Sequence, residues 1–102
     1  MIGVLEDKRA EITALCKHYR VRRLDVFGSA ATGPFDPQRS DVDFLVEFQP
    51  LPPGQRAEAY FGLLEALQAL LGRPVDLVVA RAIQNPYFRQ AVESSREVLY
   101  AP

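Results

Sequence analysis

Two aspartates, Asp41 and Asp43, stand at the start of an apolar run, shortly after a Phe-Gly-Ser turn at residues 27–29. Residues i and i+2 of a strand point to the same face of a sheet. The two carboxylates should therefore converge where the strand leaves the core. Hard cations such as Mg²⁺ prefer oxygen ligands of this kind. The pattern predicts a divalent-metal site beside a turn that can receive phosphate.

The turn has the residue types that phosphate binding requires. Gly28 lets the backbone turn tightly and come close to a ligand, and Ser29 offers a hydroxyl and an N–H where a short helix can begin. A Gly-Ser pair by itself is commonly only a turn. An Asp-x-Asp pair is often only solvated charge, and Asp41 could also cap a turn. The prediction therefore depends on the turn and the carboxylates occurring together, in this order.

Asp76 is a third carboxylate, inside a short apolar strand pattern. A charge in such surroundings needs a partner, for which Arg73 or Arg81 is the alternative to a metal ion. Together with Asp41 and Asp43, it would supply the ligands of two Mg²⁺ ions. Two ions about 3.5 to 4 Å apart can activate an attacking hydroxyl and stabilise a leaving pyrophosphate. The reaction class predicted from these residues is nucleotidyl transfer.

Hydrophobic periodicity predicts the elements that hold these residues. The long second helix should have the apolar stripe Ala57, Tyr60, Phe61, Leu64, Leu67 and Leu71 and end at Gly72, and Asn85 should cap the next helix. The predicted order is a helix at about 5–20, a strand at 24–27, a strand at 41–48, the long helix, a strand at 75–80, a helix from Pro86 to about Glu93 and a short strand at 98–100.

Composition limits the class of protein. The chain has 102 residues, of which 48% are hydrophobic and 25% charged, and is predicted to form one domain over residues 1–102. Its net charge of −1 disfavours nucleic acid as the main partner. Cys16 lies on the apolar stripe of the first helix and should be a core thiol, while His18 should lie at the surface near the end of that helix. No apolar stretch approaches a membrane span and no signal peptide is evident, so we expect a cytoplasmic protein without a membrane partner.

The segment FGSAATGPFDPQRSDVDFLVEF, residues 27–48, resembles the signature of the DNA polymerase β nucleotidyltransferase superfamily, specifically its minimal nucleotidyltransferase (MNT) branch. With the preceding helix and the later PVDLVV segment, the resemblance spans nearly the whole chain. It implies an α/β (α+β) fold with a small mixed β-sheet packed against helices. It also implies that Gly28 and Ser29 hold the triphosphate and that Asp41 and Asp43 bind both Mg²⁺ ions. Asp76 would bind the catalytic ion and help to deprotonate the attacking hydroxyl.

Two departures from the family pattern lie in the loop after the turn. Many relatives carry an arginine where this chain has Ala31 or Thr32, and the loop from Ser29 to Asp41 is about one residue longer than the commonest spacing. Arg39 could supply the missing positive charge, or could form only a surface ion pair with a neighbouring aspartate. Neither departure changes a predicted metal ligand.

The resemblance also implies the acceptor. Small MNT proteins resemble the antitoxin half of two-component systems whose other half is a helical HEPN toxin, and the transferase can place AMP from ATP on a tyrosine of that toxin. ATP would be the donor and a HEPN-type protein the partner. The resemblance does not decide whether the chain also forms a homo-oligomer. One alternative is a nucleotide-binding antitoxin that neutralises its partner by contact alone, and another is a transferase acting on a small hydroxylated molecule. Apolar residues that could form a partner surface, or instead complete the core, are Tyr87, Phe88, Leu99 and Tyr100.

Overall fold

The computed structural model describes residues 1–32 and 41–102. Arg39, the predicted source of a replacement positive charge, lies outside these residues. The chain is a mixture of helices and strands, as predicted. In order, the elements are α1 (Gly3–Asp7), α2 (Arg9–His18), β1 (Val21–Phe27), α3 (Ser29–Thr32), β2 (Val42–Phe48), α4 (Pro53–Leu71), β3 (Val75–Val79), a 3₁₀ turn (Ala80–Ala82), α5 (Pro86–Ser95) and β4 (Glu97–Tyr100).

The strands form one mixed sheet in the order β3-β2-β1-β4. β1 is antiparallel to both β2 and β4, whereas β2 and β3 are parallel. The parallel pair needs a crossover connection, and α4 supplies it. The register pairs Phe27 with Asp43 across β1 and β2, and Asp43 with Asp76 across β2 and β3. The sheet therefore places two of the predicted carboxylates side by side, next to the end of β1.

Both faces of the sheet are covered, at least in part. The main core packs one face against α1, α2 and α4, and Phe44 at its centre is fully buried. On the opposite face a smaller cluster joins the sheet to α5 and consists of Phe27, Leu45, Ile83 and Val92. Leu45, two residues after Asp43 and on the same face of β2, belongs to this second cluster. Asp43 therefore lies at the edge of an apolar contact between the sheet and α5.

The sequence predicts one continuous first helix, and this prediction is wrong, because the structure has two helices there. Lys8, with φ −99° and ψ 9°, divides it into α1 and α2. The residue before α1 is tied to a distant part of the chain, because the Ile2 N–H donates to the carbonyl oxygen of Ala30 at 3.0 Å. Hydrophobic periodicity cannot reveal such a tertiary contact. The predicted environments of two side chains in this region are confirmed, since Cys16 is buried and His18 is exposed in the last turn of α2.

The predicted face of α4 needs a correction. The helix ends as predicted at Gly72, which adopts φ +64° in the left-handed region that glycine reaches without strain. However, Ala57 and Phe61 of the predicted stripe are exposed, and Leu63, which was left out, is fully buried. Apolar residues occupy more than one side of this helix. The contact with the sheet therefore decides which of them are buried.

The C-terminal elements follow the prediction closely. The Asn85 side chain caps α5 by accepting hydrogen bonds from the N–H groups of Tyr87 at 2.8 Å and Phe88 at 3.2 Å. Of the candidate surface residues, Leu99 is buried and Tyr100 half-buried against the core, whereas Tyr87 is 81% exposed and Phe88 41%. None of the helices in the described ranges has both the length and the apolar character needed to cross a membrane.

The buried charge of Asp25 was missed at the sequence level. This β1 carboxylate is completely inaccessible and is held by two guanidinium groups, Arg23 Nε at 3.0 Å and Arg96 Nε at 2.5 Å. Burial lowers the pKa of Arg96, but the hydrogen bond and charge of Asp25, with help from Glu93, raise it above its ordinary value. A buried carboxylate needs such compensation. The pairing therefore fastens the residue after α5 to the middle of β1.

The thiol of Cys16 is expected to be inert in the folded protein. Burial raises its pKa from 9.0 to about 12, so its thiolate fraction at pH 8 is about 1,000-fold lower than that of an ordinary thiol. We expect no reaction with Ellman's reagent in native buffer and stoichiometric reaction in guanidinium chloride. Rapid labelling of the native protein, with no loss of structure by circular dichroism, would contradict this prediction.

Candidate active site

The Phe-Gly-Ser turn forms at the end of β1. Gly28 has φ +72°, and α3 begins at the next residue, Ser29. The carbonyl oxygen of Gly28 accepts hydrogen bonds from the N–H groups of Ala31 and Thr32, both at 3.1 Å. Ala31, at one position where many relatives carry an arginine, is packed in the main core, while Thr32 is exposed. The turn is therefore closed by its own backbone, with Ser29 at its tip.

Gly28 lies against the carboxylate of Asp43. A Cβ atom added at residue 28 would come within 3.0 Å of Asp43 Oδ2. At this distance the Asp43 side chain would have to give way by a few tenths of an ångström, and φ +72° is a conformation that residues with a Cβ rarely adopt. Glycine is thus required here for two separate reasons. The close approach places the turn directly beside Asp43 of the Asp-x-Asp pair.

The predicted carboxylates share one end of the β2-β3 pair. Asp43 and Asp76 are neighbours in register, and Asp41 lies one residue before β2. Burial raises the pKa of Asp43 above its ordinary value, and the negative charges of Asp76 and Asp41 raise it further. Asp43 is therefore close enough to both of the other carboxylates to be affected by their charge. Asp76 itself is exposed, so water can solvate it and its apolar sequence neighbours do not by themselves require a charged partner.

The fit of these residues to a metal ion depends on the nature of their ligand atoms. Within residues 1–32 and 41–102, no three or more His, Cys, Asp or Glu side chains form a ready-made metal cage. Mg²⁺ rarely needs one, because it usually takes one or two carboxylates and completes its octahedron with phosphate and water. Mutually repelling carboxylates next to a phosphate-compatible turn suit such an ion. The binding of Mg²⁺ by Asp41, Asp43 and Asp76 stays a prediction.

Ser95 also contacts the Gly28 turn, and this contact was missed at the sequence level. Its hydroxyl oxygen accepts a hydrogen bond from the Gly28 N–H at 3.0 Å, although the two residues are 67 positions apart. Nearby, the rings of Phe27 and Phe88 meet edge to face with centroids 6.1 Å apart. No local pattern marks Ser95, because a serine near a helix end is common. Only the packing of α5 on the sheet brings it to the turn.

The molecule also has a cavity of about 470 Å³ at the other end of β2, where the strand leads towards the start of α4. Its walls include Phe48, Tyr60 and Phe61, and none of the predicted carboxylates or turn residues. The Tyr60 hydroxyl is occupied there as a donor to the carbonyl oxygen of Leu77 at 2.6 Å. We place the chemistry at the turn, because carboxylates and a phosphate-compatible backbone meet there and not in this cavity.

Comparison with known proteins shows the family of this chain. The family model described as a nucleotidyltransferase domain matches residues 9–99. The chain belongs to the nucleotidyltransferase family. This nucleotidyltransferase is 36% identical over 100 residues to the protein adenylyltransferase MntA of Thermococcus cleftensis, with 94% of each chain covered. It is 39% identical over 79 residues to a candidate protein adenylyltransferase of Methanocaldococcus jannaschii, covering 78% of this chain and 76% of that one.

Solved structures confirm the predicted fold class. A candidate minimal nucleotidyltransferase superposes with a TM-score of 0.74 at 33% identity, covering 91% of this nucleotidyltransferase and 90% of that chain. A complex of a tri-AMPylated HEPN toxin with an MNT antitoxin from Shewanella oneidensis gives a TM-score of 0.63 at 23% identity. The match covers 95% of this chain and 72% of that chain. A toxin-antitoxin structure with AMP-PNP gives a TM-score of 0.66 at 24% identity. The match covers 92% of this chain and 73% of that chain. The predicted enzyme class and the MNT fold are both confirmed.

Proposed function

We propose that this nucleotidyltransferase transfers AMP from ATP to a hydroxyl group of a HEPN-type partner protein and thereby acts as an antitoxin. The observation that carries the proposal is the contact between the Gly28 turn and Asp43, with Asp76 alongside on the next strand. The relatives support the donor and the acceptor, since one is a protein adenylyltransferase and a neighbouring structure contains an AMPylated HEPN toxin. We further propose that residues 1–102 act as one domain. We also propose a location in the reducing cytoplasm, with which the free thiol of Cys16 is consistent.

The site residues would divide the reaction among them. Asp41 and Asp43 would hold two Mg²⁺ ions, one of which Asp76 would share, and Ser29 would contact the triphosphate. When bound, the ions would supply positive charge that offsets the phosphates and lowers the pKa of the acceptor hydroxyl. The hydroxyl oxygen attacks the α-phosphorus and passes its proton to Asp76. The bond from phosphorus to the bridging oxygen then breaks, and pyrophosphate leaves with the electron pair.

Electrostatics give a reason for metal dependence. Burial, followed by the negative charges of Asp76 and Asp41, raises the pKa of Asp43, so these surroundings already disfavour its ionisation. A triphosphate would be repelled by the same charges. Cations between the two sets of oxygens would remove both repulsions, so nucleotide and metal should bind cooperatively.

Labelled ATP provides the decisive experiment. The protein is incubated with Mg²⁺, its HEPN-type partner and ATP that is labelled at either the α- or the γ-phosphate. We expect label on the partner from α-labelled ATP only, release of pyrophosphate, and complete loss of labelling in EDTA. Label from γ-labelled ATP would indicate phosphoryl rather than nucleotidyl transfer. Absence of label on a partner that is still bound by folded protein would overturn the proposal.

Neutralisation by contact alone is the alternative from a different class of function. The aromatic rings of Tyr87 and Phe88, exposed at the start of α5, would suit a protein interface. A contact-only antitoxin, however, has no need for three neighbouring carboxylates whose repulsion burdens the fold. Transfer to a small hydroxylated molecule remains the third alternative, and competition assays with such acceptors in the same reaction would reveal it.

A further inference from the structure

We infer that Ser95 is a positioning residue for this active site: its hydroxyl holds the Gly28 peptide and thereby the turn that receives the triphosphate. The inference rests on the proposed function for the identity of the ligand. The contact itself stands independently of it, because the Gly28 N–H donates to Ser95 Oγ at 3.0 Å in a half-buried setting. Ser95 acts through the turn and need not touch the nucleotide.

The hydroxyl of Ser95 is oriented to accept this bond. Its proton is directed to the carbonyl oxygen of Ala91, one helical turn earlier in α5, at 3.2 Å. A hydroxyl has one proton and two lone pairs. With the proton committed to Ala91, a lone pair is left to face the Gly28 N–H. The last turn of α5 therefore presents a preset acceptor to the site.

The next residue anchors the same end of α5 a second time. Arg96 donates from Nε to the buried carboxylate of Asp25 at 2.5 Å and from Nη1 to Glu93 at 2.7 Å. Asp25 and Gly28 lie three residues apart around the end of β1. Two consecutive residues at the end of α5 thus attach it to β1 and to the turn that follows β1. The ion pair to Asp25 makes the end of the helix a rigid support, and Ser95 transmits that support to the turn.

This arrangement determines which groups of the turn remain for phosphate. The Gly28 N–H is committed to Ser95, and the Gly28 carbonyl oxygen to Ala31 and Thr32. The binding role therefore falls on Ser29 rather than on the Gly28 amide. Glycine has no Cβ to restrict rotation of its peptide groups. Without Ser95, the peptide before Gly28 would be free to rotate and the position of Ser29 would be less well defined.

The test uses three variants of the full chain. Ser95→Ala removes the acceptor, and Ser95→Thr keeps a hydroxyl at the same place. Ser94→Ala is the matched control, since the exposed Ser94 hydroxyl donates to the same Ala91 carbonyl oxygen, at 2.9 Å, and has no contact with Gly28. Any effect of simply removing a hydroxyl from this helix end should appear in both alanine variants.

The first readout needs no catalytic activity. We expect amide hydrogen exchange at Gly28 to become at least about tenfold faster in Ser95→Ala, because a protected N–H loses its acceptor. Exchange in Ser95→Thr and Ser94→Ala should stay within twofold or so of the wild type. Unchanged protection at Gly28 in Ser95→Ala would overturn the inference whether or not the protein transfers AMP.

The second readout separates positioning from stability. In AMP transfer, Ser95→Ala should raise the KM for ATP about fivefold to tenfold with little change in kcat, because the turn binds the triphosphate in the ground state and transition state alike. A role in stability alone would lower the active fraction, and hence the apparent kcat, without changing KM. Equal KM values in Ser95→Ala and Ser94→Ala would overturn the inference, whereas an inactive wild type would instead overturn the proposed function.

Discussion

Replacing Asp43 with asparagine is expected to abolish nucleotidyl transfer and, in the absence of metal, to make the protein more stable. Asp43 is half-buried at the centre of the site, in register with Asp76 and against the Gly28 turn. Loss of one carboxylate ligand removes several kcal/mol of transition-state stabilisation, so transfer should fall at least about 100-fold. The fold should survive, because asparagine has the same shape as aspartate.

The gain in stability follows from the direction of the pKa shift. Burial and the charges of Asp76 and Asp41 raise the folded-state pKa of Asp43 above its unfolded value of 3.8. As the pH rises between these two pKa values, the unfolded state releases its proton first, so the free energy of unfolding decreases. Above the folded-state pKa the decrease is complete. The wild type therefore carries this penalty at pH values above the folded-state pKa of Asp43, and Asp43→Asn does not.

Thermal unfolding with and without Mg²⁺ measures this effect beside the transfer assay. In EDTA at pH 7, Asp43→Asn should melt above the wild type. Mg²⁺ with a non-hydrolysable ATP analogue should raise the melting temperature of the wild type more than that of the variant. Glu65→Gln is the control, because it makes the same chemical change at an exposed position of α4, on the other side of the sheet. Normal transfer by Asp43→Asn would refute the assignment of this residue.

Replacing Gly28 with alanine is expected to weaken the enzyme by a different route. The added methyl group would meet Asp43 Oδ2 at 3.0 Å, and φ +72° is unfavourable for any L residue with a Cβ. A displacement of about 1 Å can reduce a rate about 100-fold, so the smaller shift expected of Asp43, a few tenths of an ångström, should reduce transfer by about tenfold. The left-handed conformation should also lower the free energy of unfolding by about 1 to 2 kcal/mol. Both consequences come from one methyl group.

Gly72→Ala separates these two effects. Gly72 ends α4 at φ +64° and has nothing within 4 Å of the Cβ that alanine would add. Its replacement should therefore lower stability to a similar extent and leave transfer unchanged. Urea unfolding and AMP transfer should be measured on both variants at a temperature where both are folded. If Gly72→Ala loses as much transfer as Gly28→Ala, destabilisation rather than the contact with Asp43 explains the loss.

The sequence by itself determined the local parts of this protein. Gly28, Gly72 and Asn85 are residues whose backbone freedom or side-chain reach suits one kind of position, and each lies where the pattern predicts, in a turn, a helix end and a cap. The alternation of β2 likewise placed Asp43 on the face opposite the main core. Such signals act over a few residues, so they can be read without knowing the fold.

Only the tertiary structure decided the contacts between distant segments. The Ser95 hydroxyl at Gly28 and the buried pair of Asp25 with Arg96 join positions 67 and 71 residues apart. The buried face of α4, which includes Leu63, was decided by the sheet, because the helix is apolar on more than one side. Periodicity states which residues can be buried, whereas packing selects the ones that are. For the same reason, the residues predicted to do chemistry were readable from the chain, and the residue that supports them was not.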